Sequence, residues 1–123
     1  MIKDVLLVGL GAFFGSGFRH LINIKMDLMN LLFPWATFGI NLMGSLLIGV
    51  LMALSFKDQT IWKLLLITGF CGGFTTFSSF SFESLSLLKS GNIIMALSYI
   101  ILSVLGGLLL VAIGYYLTNK FIQ

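Results

Sequence analysis

The sequence predicts an all-α membrane protein with four transmembrane helices, the third broken mid-membrane. Three observations carry that reading. Charged residues make up only 9% of the 123-residue chain and mean hydropathy is +1.10, whereas a soluble domain is about a quarter charged. Long stretches carry no charge at all: 5–18, 28–56, 64–82 and 90–119. The third of these holds Gly72–Gly73 followed by Thr75–Thr76, a poor sequence for one continuous helix. The same composition argues against a soluble enzyme, a disordered segment or a nucleic-acid reader. The net charge of +3 comes from too few groups to make a basic patch, so no nucleic-acid partner is expected. A lone cysteine, Cys71, excludes an internal disulfide framework. One histidine, His20, argues against a His-based zinc or haem site.

The four helices are expected at 4–22, 34–56, 61–88 and 92–120, forming one transmembrane domain over 1–123. A spanning helix needs about 20 mostly apolar residues. The first stretch reaches that length when Arg19 sits at its end and snorkels or pairs. Lys3 ahead of an apolar run imitates a signal peptide, but no small-x-small cleavage site leads into a soluble domain. The segment is therefore read as a retained helix. Its Gly11 and Gly15 form a GxxxG pair, the spacing of close helix packing. The glycines from Gly9 to Gly15 do not make a nucleotide loop, because their spacing is wrong and no strand precedes them. The connections 23–33, 57–60 and 89–91 are short, and no internal repeat is visible.

In the second helix Thr37, Asn41 and Ser45 recur every four residues and so share one face, with Gly44 and Gly49 close by. In the fourth, Tyr99, Ser103 and Gly107 repeat that spacing. Small and hydroxyl residues in this pattern suit interhelical contact. Asn41 asks for more, because a full amide in hydrocarbon is costly without a partner. It is expected to face a neighbouring helix, a pore or a ligand.

The third helix holds the densest pattern. Residues 69–83 read GFCGGFTTFSSFSFE. A break at the glycine and threonine pairs frees backbone carbonyls, which can bind a cation; a kink healed by hydroxyl-to-carbonyl bonds is the alternative. Phe77 and Phe80 are three apart and share a helical face, among Thr76, Ser78, Ser79 and Ser81. A phenyl ring has a positive edge. Ring edges and hydroxyl donors together line a path that favours an anion without holding it by a fixed charge, and conduction needs weak binding. The carboxylates expected for metal-cation transport are missing from the path; Glu83 lies near the end of the third helix.

Orientation is nearly unspecified. With the N-terminus on side one, that side carries Lys3, Lys57, Lys63 and Lys120; the other carries Arg19, Lys25 and Lys89. Such a bias hardly orients a chain. It fits a chain oriented by other details, and equally one that inserts both ways up and pairs antiparallel.

These residues resemble the Fluc/CrcB family of fluoride channels. The stretches 69–83, TFGINLMGSLLIG (37–49) and GAFFGSGFRH (11–20) are similar to its three signature regions, and the likeness covers essentially the whole chain. The resemblance implies an antiparallel (dual-topology) homodimer with two pores and passive export of fluoride. It also implies a structural sodium ion at the dimer two-fold. Carried over by position, the fluoride pore takes Asn41, Phe77, Phe80, Ser78, Ser79, Thr37, Tyr99 and Ser103. Arg19 falls at the vestibule, and Glu83 is the acidic residue closing the motif. The backbone carbonyls of Gly72 and Thr75 are the sodium ligands. Ser79 stands where many members carry threonine, and Gly107 where some carry serine. The expected place is the cell (inner) membrane, as a multi-pass protein among lipid. The partner is an identical copy or an oppositely oriented paralogue.

Two other readings fit a small helical membrane protein. A small multidrug-type exporter needs a carboxylate deep in its first helix, and this one has only Asp4 at its start. A non-transporting membrane assembly subunit would use the polar stripes for packing alone, and a flux assay tells it apart. No Ser/His or paired-Asp constellation suggests an intramembrane enzyme.

Overall fold

The computed structural model describes residues 1–54 and 59–122, and every described regular element is helical. α1 spans Ile2–Asp27, running past the expected end at 22. Residues 23–26 hold neither glycine nor proline to stop it, and Lys25 in the last turn suits the negative end of the helix dipole. The chain turns where Asn30 adopts φ 49°, a left-handed conformation that asparagine tolerates. α2 spans Trp35–Ala53 behind Pro34 at its cap, where a missing N–H is harmless. The expected tail of the second helix, 55–56, and linker residues 57–58 lie outside the described residues.

The third span has two parts. α3 is helical backbone over 59–74. It contains one α-turn (Gln59–Trp62), a π-helix (Lys63–Cys71) and a last α-turn (Gly72–Phe74). α4 covers Phe77–Lys89. Between them Thr75 (φ −81°, ψ 159°) and Thr76 (φ −148°, ψ 118°) are extended. The break thus lies on the threonines, while Gly72 keeps helical angles (φ −63°, ψ −37°). The glycine beside it serves packing instead: a Cβ on Gly73 would meet the backbone of Ala12 at 2.8 Å. α5, Ile93–Ile122, follows a turn in which Gly91 takes φ 85°.

Glycines let backbones touch in two helix pairs. α1 lies along α3, and α2 along α5. In the first pair, side chains at Gly11 or Gly15 would collide with Leu65 O or Phe70 O, and one at Gly69 would meet Val8 O at 2.7 Å. In the second, Gly49 abuts Val111 O, while a Cβ on Gly114 would lie 2.5 Å from Leu46 O. This is close packing of the kind used where lipid removes the hydrophobic drive between helices. Large apolar side chains such as Leu6, Phe13, Leu105 and Leu108 point outward. Four helices, counting the third span as Thr60–Lys89, are long and apolar enough to cross a membrane. The break sits in the middle of the third and faces α2.

Candidate functional site

Extended backbone inside a membrane span must have its peptide groups satisfied by other protein. At the break this is done for the N–H groups of both threonines and for the carbonyl of Thr76. Thr75 N–H donates to Cys71 O at 3.0 Å, and the Thr75 hydroxyl donates to the same oxygen at 2.8 Å. Thr76 N–H donates to Asn41 Oδ1 at 2.8 Å. Asn41 Nδ2 in turn donates to Thr76 O at 3.1 Å. One side-chain amide from α2 therefore holds both polar groups of one residue at the break. The Thr76 hydroxyl then caps α4 by accepting from Ser79 N–H at 3.2 Å, and it lies 3.3 Å from the Ser78 hydroxyl.

This arrangement releases a carbonyl. In a continuing α-helix the N–H of Thr76 would return to Gly72 O, but here it is engaged by Asn41. Gly72 is exposed. With Asn41, Ser45, Thr75, Thr76 and Phe77 it lines a groove of about 470 Å³. Among the described residues no group of three His, Cys, Asp or Glu side chains could hold a metal, so a cation held here would bind backbone oxygen. Hard cations favour oxygen ligands, and the carbonyls of Gly72 and Thr75 at an open helix end fit that chemistry.

A second polar cluster lies further along α4. Glu83 accepts from the Thr37 hydroxyl at 2.6 Å and from the Tyr99 hydroxyl at 3.4 Å. Thr37 and Tyr99 are buried, at 4% and 0% exposure. Glu83 is therefore joined to α2 and α5 rather than standing beyond the polar path. It also borders a cavity of about 410 Å³ shared with Asn23, Asp27, Asn30 and Thr37, at the end of the bundle where α1 leads into α2.

Aromatic rings connect the two clusters. Phe77 and Phe80 have centroids 5.8 Å apart, Phe80 and Tyr99 5.1 Å, and Tyr99 and Phe33 5.4 Å. Phe80 is half-buried in this row of rings, whereas Phe77 is 79% exposed on the outside of the chain. Ser79 is partly covered, and Ser78 is open.

The structure thus brings Asn41, Phe77, Phe80, Ser78, Ser79, Thr37, Tyr99 and Glu83 into one continuous strip, with Gly72 and Thr75 at its inner end. Ser103 stands apart from these bonds. Its hydroxyl is buried with no hydrogen-bond partner among the described residues, as is Arg19 Nε. Ser45 returns its hydroxyl to Asn41 O at 2.8 Å and packs against Gly107, whose Cβ would lie 3.3 Å away. The sequence reading missed the Glu83 cluster and the share of Phe33 in the row of rings. The signal for the first was present: Phe80 and Glu83 are three apart, and Thr37 heads the polar stripe of the facing helix.

Residues 6–115 match the family model described as "CrcB-like protein, Camphor Resistance (CrcB)". The chain is 45% identical to a protein of Leptospira interrogans over 97% of each chain. It is 43% identical to one of Pseudomonas putida over 98% of this chain and all of the relative. It is 40% identical to one of Azobacteroides pseudotrichonymphae over 98% of this chain and all of the relative. Each of those proteins bears the name "Fluoride-specific ion channel FluC".

Proposed function

The chain belongs to the CrcB family, and from that premise we infer that it is a multi-pass membrane protein that conducts fluoride as a channel rather than as an enzyme. The observation that carries the reading is the strip of rings and hydroxyls running from the break to the Glu83 cavity. Fluoride is small and strongly hydrated, so a selective path must replace its water with donors. Ser78 and Ser79 hydroxyls, the spare Nδ2 hydrogen of Asn41 and the Ser103 hydroxyl, which has no partner among the described residues, supply them. The edges of Phe77 and Phe80 supply weak sites that an anion leaves easily. Thr37 and Tyr99 donate to Glu83, so their hydroxyls serve the ion only when that carboxyl group lets go. Arg19 draws anions toward the vestibule. Fluoride moves down its gradient, and the physiological direction is export.

The working unit in this reading is an antiparallel dimer with two pores, in which each pore borrows from both copies. Its support is the groove at the break. Gly72, Phe77 and Ser78 are open on the outer face of one chain, where lipid tails offer no polar partner. A second copy, or an oppositely oriented paralogue, would cover them, and lipid would surround the remaining faces. A sodium ion at the two-fold, held by the Gly72 and Thr75 carbonyls of both copies, would supply positive charge and tie the two breaks together.

The experiment is efflux from liposomes containing only this purified chain, with fluoride or chloride as the sole permeant anion. Rapid fluoride release with chloride retained is expected. Equal retention of both would leave the polar stripes as packing, as in a membrane assembly subunit.

A further inference from the structure

We infer that Asn41 is a positioning residue that fixes the site of the helix break, beyond any contact it makes with the permeating ion. The inference rests on the reading of the break and α4 as the pore-lining region, and the test separates the two.

The geometry is that of an amide paired with a peptide. Asn41 Oδ1 receives Thr76 N–H at 2.8 Å, and Asn41 Nδ2 donates to Thr76 O at 3.1 Å. This pair of bonds settles the side-chain orientation, because only oxygen can accept from the N–H. Three consequences follow from it. Thr76 is held extended, so its hydroxyl points back to cap α4 at Ser79 N–H. The cap starts α4 at Phe77 and thereby places Phe77 and Phe80 on the strip. The carbonyl of Gly72 loses its helical donor and opens into the groove. One side chain thus sets both the ring positions and the free carbonyl.

Nothing else on α2 does this work. Ser45 bonds its own helix at Asn41 O, and Thr37 is committed to Glu83. Without Asn41 both peptide groups of Thr76 lose their partner, and the extended backbone at 75–76 is no longer held in one place. The cap on Ser79 N–H would loosen with it, and Phe77 and Phe80 would lose their fixed places on the strip.

The test follows amide exchange of Thr76 and Ser79 by NMR in the full chain in detergent micelles, beside liposomal fluoride efflux. Asn41→Ala removes both bonds and should speed Thr76 exchange at least about tenfold, with Ser79 following and efflux falling. Asn41→Asp keeps an oxygen opposite Thr76 N–H, so that amide should stay protected while efflux falls. Phe80→Ile is the control, with slower efflux and unchanged exchange. Thr76 exchange at the unmodified rate in Asn41→Ala would overturn the inference and leave Asn41 acting on the ion alone. Should Asn41→Ala not elute as the unmodified chain does, Asn41→Ser is read in its place, since one short hydroxyl cannot make both bonds. If the unmodified chain releases no fluoride, the channel reading fails, and the exchange rates still decide the role of Asn41.

Discussion

Phe80 is the side chain at which packing and the proposed fluoride path meet. Its ring is tilted against Phe77 at 5.8 Å and against Tyr99 at 5.1 Å, and in the proposed path an anion would meet its edge. Phe80→Ile keeps apolar bulk and removes that edge. An aromatic contact of this kind is worth about 0.5–1.5 kcal/mol. Applied to the rate-limiting barrier, this slows fluoride efflux about two- to tenfold, and Phe80→Met should be milder because a thioether is polarizable and adaptable. Size-exclusion elution should not change in either variant. Unaltered efflux in Phe80→Ile would remove the ring from the path. Thr37 offers a second test. Its hydroxyl makes a 2.6 Å bond to Glu83 from a buried position, so Thr37→Val leaves a carboxyl oxygen without that donor. The expected cost is about 1–3 kcal/mol of stability, read as a lower unfolding midpoint in detergent. An unchanged midpoint would mean that Glu83 finds a replacement donor.

At the level of elements, the glycines of α1 separate cleanly into two kinds. Gly11 and Gly15 face the backbone of α3, whereas Gly9 and Gly17 have nothing within 4 Å of where a Cβ would stand. Gly15→Leu should therefore force α1 from α3 at a cost of about 1–3 kcal/mol or more, with loss of folded protein from the size-exclusion peak. Gly9→Ala should be neutral or stabilising by up to about 1 kcal/mol, since it only improves helix propensity. A Gly15→Leu chain as stable as the unmodified one would show that the α1–α3 contact is dispensable. The same contrast explains what the sequence made legible. Uncharged length gives the spans because it depends on composition alone, and GxxxG spacing gives the α1 contact because a helix repeats it regularly. The position of the break was only partly readable. Glycine and threonine pairs both weaken a helix, and which pair yields is decided from outside the segment, by Ala12 against Gly73 and Asn41 against Thr76. The π-helix at Lys63–Cys71 has no local signature at all. The Glu83 cluster joins three helices, and pairings between distant segments do not appear in the periodicity of any one of them.

Across the whole molecule, two facts bear on how copies enter the membrane. Cationic residues divide four to three between the sides, which gives weak instruction under a rule that counts lysine and arginine near the membrane. The open polar groove beside Gly72 and Thr75 faces outward, where a lone chain in lipid would leave carbonyls unsatisfied. The proposed inverted second copy would answer both, because two chains of opposite orientation would bring identical grooves together about a two-fold axis in the membrane plane. A reporter fused after Gln123 should then be found on both sides of the membrane. Several lysines added at the same place should drive nearly all copies to the orientation with the C-terminus inside. Fluoride efflux should fall with them, for want of oppositely inserted partners, and return when a second chain biased the other way is co-expressed. The measurement pairs a side-specific reporter assay with fluoride efflux from the same cells. A reporter confined to one side in the unmodified chain, with full efflux, would mean that one orientation suffices and that the groove is covered by something other than an inverted copy.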